Sequence, residues 1–79
     1  MRLCDLKVGE RGRVVALKNV GSMRRRLLDI GLADGTMVEC AGRSAGGDPA
    51  AYLIRGAVIA IRDRDSANIL IERCDTAWG

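Results

Sequence analysis

Short apolar runs separated by turn-forming residues constrain the fold of this chain more than any other feature. The runs are rich in β-branched residues or alternate apolar with polar positions, which is typical of strands. They span residues 13–18, 36–43, 52–55, 57–62 and 68–72. Five strands at such close spacing predict a mainly β fold, a small five-stranded barrel, rather than the alternating strands and helices of a parallel sheet.

One segment has helical periodicity instead. Met23, Leu27 and Ile30 recur at the spacing of one helix face, so we expect a short helix that turns these three side chains toward the core. Ser22 stands directly before this stripe and is predicted to be the N-cap. The helix is therefore an insertion after the first long strand.

Four residues are predicted to hold turns and helix ends. Gly31 suits the left-handed position after the helix, and Leu32 can then pack back on the helix as a Schellman ending requires. Gly35 belongs to the next turn, and Gly56 follows Arg55 in a tight hairpin. We also expect a turn at residues 9–12, a 3₁₀ turn at residues 63–67 and a frayed tail at residues 74–79.

The chain has 79 residues, which suits one small domain, residues 1–79, with a thin core. Its longest apolar run, residues 57–61, is far too short to span a bilayer. The first residues lack the apolar segment of a secretory signal, so we expect a cytoplasmic protein that is not inserted in the membrane.

The metal-binding chemistry of the sequence is sparse. Histidine is absent, and the three cysteines have no zinc-finger spacing. Cys4-Asp5 and Cys74-Asp75 repeat one dipeptide near both ends, and together they are weak candidates for a soft divalent ion. The alternative is two unrelated thiols. We therefore expect no permanent metal cofactor, and at most a weakly held surface ion that bridges two copies of the chain.

The sequence also argues against catalysis and nucleic-acid binding. No histidine is present to move a proton, and no serine has a base in motif spacing. The net charge of +3 favours nucleic acid, but Tyr52 and Trp78 are the only aromatic residues. Small barrels that bind single strands need aromatic faces for base stacking. We expect neither an enzyme nor a nucleic-acid-binding protein.

Three consecutive arginines, Arg24, Arg25 and Arg26, are the most distinctive polar feature. Placed early in the helix, they oppose its dipole, so the helix is not optimised for its own stability. With Leu28 interleaved, they have the composition of a protein interface, and we interpret them as a partner-binding surface. In the alternative, Arg25 pairs with Asp29 one turn later and the other arginines are solvated.

Several motifs resemble one known family. The stretches RRRLLDIGLADGTMVEC, GDP, YLIRGAVIAIR and ANILIE look like those of FeoA proteins, and the likeness covers residues 3–72. The same module resembles the SH3-like C-terminal domain of DtxR-type iron-dependent repressors. Two small departures, Ala33-Asp34-Gly35 and Ala50-Ala51, leave the core pattern intact.

The resemblance implies a five-stranded SH3-like barrel with a helical insertion. It also implies an accessory or regulatory role in bacterial ferrous iron transport, through contact with FeoB, a membrane permease with a cytosolic GTP-binding domain. A small-barrel module that binds nucleic acid or senses metal is the alternative function.

Overall fold

The sheet is the frame of the molecule, and a computed structural model describes it over residues 1–74. After a 3₁₀ turn at Leu3–Asp5, the elements are β1 (Arg11–Leu17), α1 (Gly21–Asp29), β2 (Met37–Arg43), β3 (Ala50–Ile54), β4 (Ala57–Ile61), α2 (Asp63–Ser66) and β5 (Ile69–Cys74). The strands are antiparallel in the order β4-β3-β2-β1-β5. The predicted mainly β, SH3-like fold with one inserted helix is confirmed. The sheet is not closed, however, since β4 and β5 are its edges.

The core lies between the sheet, α1 and the N-terminal segment. Its buried side chains are Leu3, Leu6, Val14, Leu17, Leu27, Leu32, Val38, Cys40, Ala50, Tyr52, Ile54, Ile61, Ile69 and Ile71. Met23, Ile30 and Ile59 are partly buried against this cluster. The predicted helix stripe and the inward isoleucines of β4 therefore face the core. No helix within residues 1–74 is long and apolar enough to cross a membrane.

The end of α1 has the predicted form and its beginning does not. The Leu32 amide donates to the Leu27 carbonyl at 3.0 Å and the Gly31 amide to that of Leu28 at 3.0 Å, with Gly31 at φ 103°. These bonds are the Schellman ending. The prediction of Ser22 as N-cap is wrong, because the helix begins at Gly21. That glycine, at φ 64°, makes the entry turn without a side-chain cap.

The β3–β4 hairpin is as tight as predicted. Ile54 and Ala57 pair directly across a two-residue turn of Arg55 at φ 50° and Gly56 at φ 84°. Positive φ at both turn residues is the type I′ geometry that suits the twist of the strands. Gly35, also predicted to hold a turn, has φ 87°.

Three predictions at the ends of elements are wrong, and β3 also begins at Ala50, two residues before its predicted start. Gly12 lies inside β1 rather than in a turn, because β5 pairs with β1 from Cys74 onward. A Cβ at Gly12 would stand 2.7 Å from Ile71 Cδ1, so the glycine permits close approach of the two strands. The predicted 3₁₀ turn at residues 63–67 is one turn of α-helix at Asp63–Ser66. Cys74 belongs to β5, and the rest of the predicted frayed tail lies outside the described residues.

Polar side chains fasten the N-terminal segment and the loop before β3. Arg43 Nη2 donates to the carbonyls of Cys4 at 2.9 Å and Leu6 at 2.8 Å, and its Nη1 donates to that of Gly47 at 3.3 Å. Asp48 Oδ1 accepts from the Asp63 amide at 2.9 Å and so satisfies the start of α2. The loop before β3 is therefore bonded to the end of β2 through Arg43 and to the start of α2 through Asp48.

Candidate protein-interaction surface

The outward side of α1 is a shallow depression formed by Gly21, Arg24, Arg25, Leu28 and Asp29, which we call the outer α1 face. Leu28 is 42% exposed at its centre, as expected for a side chain at the margin of the core stripe. The alternative pairing of Arg25 with Asp29 is not formed, and Arg25 has no ion pair among residues 1–74. An exposed leucine beside an unpaired arginine suits a protein contact.

The three arginines do not form one patch: Arg24 and Arg25 both line the outer α1 face, and Arg26 does not. Arg24 Nη1 donates to the Leu17 carbonyl at 2.7 Å, so this side chain ties α1 to the end of β1. Arg25 belongs to the outer α1 face. Arg26 lines a separate groove, and it lies in the last helical turn, where a cation complements the dipole. The expected clash of all three charges with the dipole is therefore wrong, because the helix begins at Gly21, before the predicted N-cap, and Arg26 falls in its last turn.

A second concave surface runs between α1 and β4, and we call it the β4 groove. It is lined by Met23, Arg26, Leu27, Ile30, Ile59, Ala60, Ile61, Arg62, Arg64 and Asp65, and its volume is about 450 Å³. The floor is apolar, whereas three arginines and a single carboxylate stand around it. Sequence analysis missed two of these arginines, because Arg62 was predicted only as the end of a strand and Arg64 only as a polar residue of the following turn. Only the packing of α1 beside β4 brings them next to Arg26.

The candidate metal ligands do not converge in the described part of the chain. Residues 1–74 contain no cluster of three or more Cys, Asp or Glu side chains suited to an ion. Asp5 accepts from the Arg2 amide at 2.9 Å and from Arg2 Nη2 at 3.4 Å, and these hydrogen bonds lower the pKa of its carboxyl. Asp75 lies outside the described residues, so the four-residue site stays a prediction.

The two cysteines of that prediction, Cys4 and Cys74, belong to segments at different positions along β5. The N-terminal segment bridges to β5 through Arg2 and Leu70, whereas Cys74 pairs with Arg11. Leu70 and Cys74 are separated by about 13 Å of extended strand. Both cysteines are partly exposed and free, while Cys40 is fully buried.

The aromatic chemistry offers no stacking platform in the described residues. Tyr52 is fully buried in the core. Burial raises the pKa of its hydroxyl, and the nearby Ser66 offsets part of that rise. A tyrosine in this position stabilises the core and cannot receive a nucleic-acid base.

Comparison with known proteins agrees with the fold and the motifs. The chain is 33% identical over 75 residues to a Fe(2+) transport protein A/Fe(2+) transporter FeoB fusion protein of Porphyromonas gingivalis, covering 91% of this chain and 8% of that protein. It thus spans only a small part of this relative. The solution structure of FeoA from Chlorobium tepidum superposes with a TM-score of 0.88 at 29% identity, over 92% of this chain and 70% of that one.

More distant structures share the fold. FeoA of Stenotrophomonas maltophilia, solved with zinc and described as an SH3 domain protein, has a TM-score of 0.82 at 20% identity, over 91% of this chain and 89% of that one. A manganese-dependent transcriptional repressor has a TM-score of 0.83 at 17% identity, over 94% of this chain and 36% of that one. The predicted likeness to a repressor domain is thereby confirmed. The FeoA domain model matches residues 1–73, and with the sheet order and helix insertion described above, the chain belongs to the FeoA family.

Proposed function

We propose that this protein is an accessory protein of ferrous iron transport that acts in the cytoplasm by binding the FeoB permease. Membership of the FeoA family supports the transport role. A relative that carries transport protein A and FeoB in one polypeptide supports a physical association between the two. Neither the family nor the fold points to catalysis, and we expect the protein to act by contact.

The outer α1 face is the surface we propose for that contact. The observation that carries this assignment is Leu28, 42% exposed beside Arg25, whose charge has no ion-pair partner in residues 1–74. Leucine contributes apolar area and arginine contributes hydrogen bonds, which together suit the centre and rim of an interface. The polyproline mode of other SH3 folds requires an aromatic groove. Among residues 1–74 the only aromatic side chain is that of Tyr52, which is buried and cannot line such a groove.

Metal binding is a separate question from this contact. We propose that the protein holds no permanent metal and that any divalent ion is bound weakly at the surface, where it can bridge two copies. The lack of a ligand cluster in residues 1–74 supports this proposal. The alternative functions, nucleic-acid binding and metal sensing, gain no support from a specific side-chain arrangement in residues 1–74.

The test compares variants of the outer α1 face. We expect Arg25→Gln with Leu28→Ser to weaken binding to a purified cytosolic domain of FeoB by about tenfold, measured by calorimetry. Ferrous iron uptake in cells that carry the variant should fall as well. Arg13→Gln, on the exposed side of β1, is the matched control and should bind normally.

Arg24 needs separate treatment because it has an internal partner. We expect Arg24→Gln to lower the free energy of unfolding by about 1 kcal/mol, since the hydrogen bond to the Leu17 carbonyl is lost. Arg25→Gln should leave stability unchanged. Full FeoB binding by a well-folded Arg25→Gln, Leu28→Ser variant would show that this face is solvated and does not contact FeoB.

A further inference from the structure

Strand β4 is an edge strand without the usual protection. Its sequence from Ala57 to Ile61 is AVIAI, with no charge and no proline, and among the described residues it pairs only with β3. Edge strands in soluble proteins normally carry charges, prolines or bulges that prevent another strand from pairing with them. Here the nearest charges, Arg55 and Arg62, flank the strand instead of interrupting it. The open side of β4 is thus competent to accept a further strand.

The hairpin turn determines which backbone groups face that open side. Ile54 and Ala57 close a two-residue turn and exchange hydrogen bonds with each other. Because bonding alternates along an antiparallel pair, Ile59 and Ile61 also bond toward β3. The amides and carbonyls of Val58 and Ala60 point away from the sheet. Val58 is 64% exposed, which leaves these groups accessible.

The β4 groove lies directly beside these backbone groups. Ala60 belongs to the groove, so a strand paired with β4 would extend its side chains over the apolar floor. Arg26, Arg62 and Arg64 surround that floor, and none of the three has an ion pair among residues 1–74. Asp65 is the single carboxylate in the groove. The surroundings of the strand therefore select against basic partners and for acidic ones.

We propose that the β4 groove binds an extended acidic segment of a partner protein, which adds to β4 as a sixth strand. Backbone bonds to Val58 and Ala60 hold the segment, its apolar side chains fill the groove, and its carboxylates contact the three arginines. This mode is β-strand addition, in which the backbone gives affinity and alternate side chains give specificity. The proposal goes beyond the contact at the outer α1 face and does not depend on the identity of the partner there.

A second copy of the chain fits this edge poorly. Antiparallel pairing of two β4 strands about Ile59 would place Arg62 of each copy opposite Gly56 of the other, one residue from Arg55. Long side chains reach such diagonal neighbours, and like charges brought close across a strand pair repel each other. The arginines of both grooves would also converge without enough carboxylates to neutralise them. Charge complementarity thus favours an acidic partner over self-association.

The experiment selects ligands from a library of random decapeptides displayed on phage, with the full chain immobilised. We expect enriched peptides to alternate apolar residues with Asp or Glu. The best peptide is then synthesised and its affinity measured by fluorescence polarisation against variants. Ala60→Pro removes the outward amide while sparing the bonds to β3, and it should weaken binding at least about tenfold.

Arg64→Glu tests the charges without altering the backbone and should weaken binding comparably, so the proposal remains testable if Ala60→Pro unfolds the chain. Arg13→Gln lies outside the groove, on the exposed side of β1, and is the control that should bind normally. Enrichment of peptides without acidic residues, or full affinity of the selected peptide for Arg64→Glu, would overturn the proposal. Concentration-dependent dimerisation through β4 would replace the acidic partner with a second copy. Loss of FeoB binding by the outer α1 variants is unaffected by any of these outcomes, so the two proposals can fail separately.

Discussion

At the scale of single residues, Arg43 connects parts of the chain that are distant in sequence. Its bonds reach Cys4 and Leu6, 39 and 37 residues earlier, and it also contacts the loop before β3. A guanidinium presents several donors in a fixed plane, so one side chain can satisfy carbonyls on different segments. Arg43 therefore holds the N-terminal segment to β2, in addition to the bridge of that segment to β5 and its buried leucines.

Arg43→Met tests this anchoring role. The substitution keeps much of the apolar stem and removes the donors, which leaves three carbonyls without their partner. We expect the free energy of unfolding to fall by about 2 kcal/mol, measured by urea denaturation. Arg13→Met, on the exposed side of β1, is the control and should change stability little. Equal midpoints for the two variants would show that hydrogen bonds from water to these carbonyls replace those from Arg43 without loss of stability.

The role of Arg43 could not be predicted from the sequence, because it depends on where distant carbonyls end up. The same holds for Arg24, whose partner is a backbone atom on β1. Sequence periodicity correctly placed Leu27 in the core, since its position follows from helix geometry alone. Burial was predictable for this side chain, whereas the partners of the arginines were not.

At the scale of elements, the end of α1 and the β3–β4 turn support each other. Arg55 Nε approaches the Gly31 carbonyl at 3.4 Å, and a Cβ at Gly31 would stand 2.5 Å from Arg55 Cδ. The absence of a side chain at residue 31 therefore serves two purposes. It permits the left-handed helix ending and it leaves room for the arginine of the hairpin.

Gly31→Val should accordingly destabilise the protein by more than about 1 kcal/mol, because a β-branched residue is strained at positive φ. Displacement of Arg55 should add to that loss. Gly42→Val is the matched control, since a Cβ there meets nothing within 4 Å and no positive φ is required. Chemical denaturation of both variants gives the comparison. An unchanged midpoint for Gly31→Val would mean that the helix ending contributes little to stability.

Local signals predicted elements well and their junctions less well. The Schellman ending and the Arg55-Gly56 hairpin were predictable, because each depends on neighbouring residues. Gly12 was wrongly predicted to lie in a turn. A glycine is needed there because Ile71 on β5 leaves no room for a side chain, and the sequence does not show that contact. The β4 groove was likewise invisible, because Arg26 and Arg64 become neighbours only when α1 packs beside β4. Sequence analysis therefore singled out Arg25 and Leu28, whose role as a contact surface stays a prediction, and it missed the groove.

At the scale of the whole molecule, the titration of Tyr52 couples pH to folding. Burial raises the pKa of its hydroxyl above the ordinary value of 10.0. The unfolded chain therefore loses this proton at a lower pH than the folded protein does. The resulting stability is fully present below about pH 10 and is lost as the pH rises through the folded pKa.

We expect the wild-type protein to lose stability as the pH rises above about 10, and Tyr52→Phe to lose less over the same range. Below about pH 9 the two should have similar stability, because the Tyr52 hydroxyl has no hydrogen-bond partner of good geometry among residues 1–74. Urea midpoints measured across this range give the test. Tyr52 is the only tyrosine, so absorbance of the tyrosinate reports its titration directly. Parallel pH profiles for the two proteins would assign the alkaline loss to other groups.

The pairing of β1 with β5 also determines when the domain can finish folding during translation. Glu10 and Arg73 form an ion pair at 3.1 Å across this junction, although they are 63 residues apart. During translation, β1 emerges early. One edge of β1 then stays unpaired until β5, which lies late in the domain, has been made. Its open edge must be kept from other chains until β5 leaves the ribosome. Because such distant contacts form late, we expect the domain to complete its folding only after β5 has emerged, with the slower rates of high-contact-order β proteins.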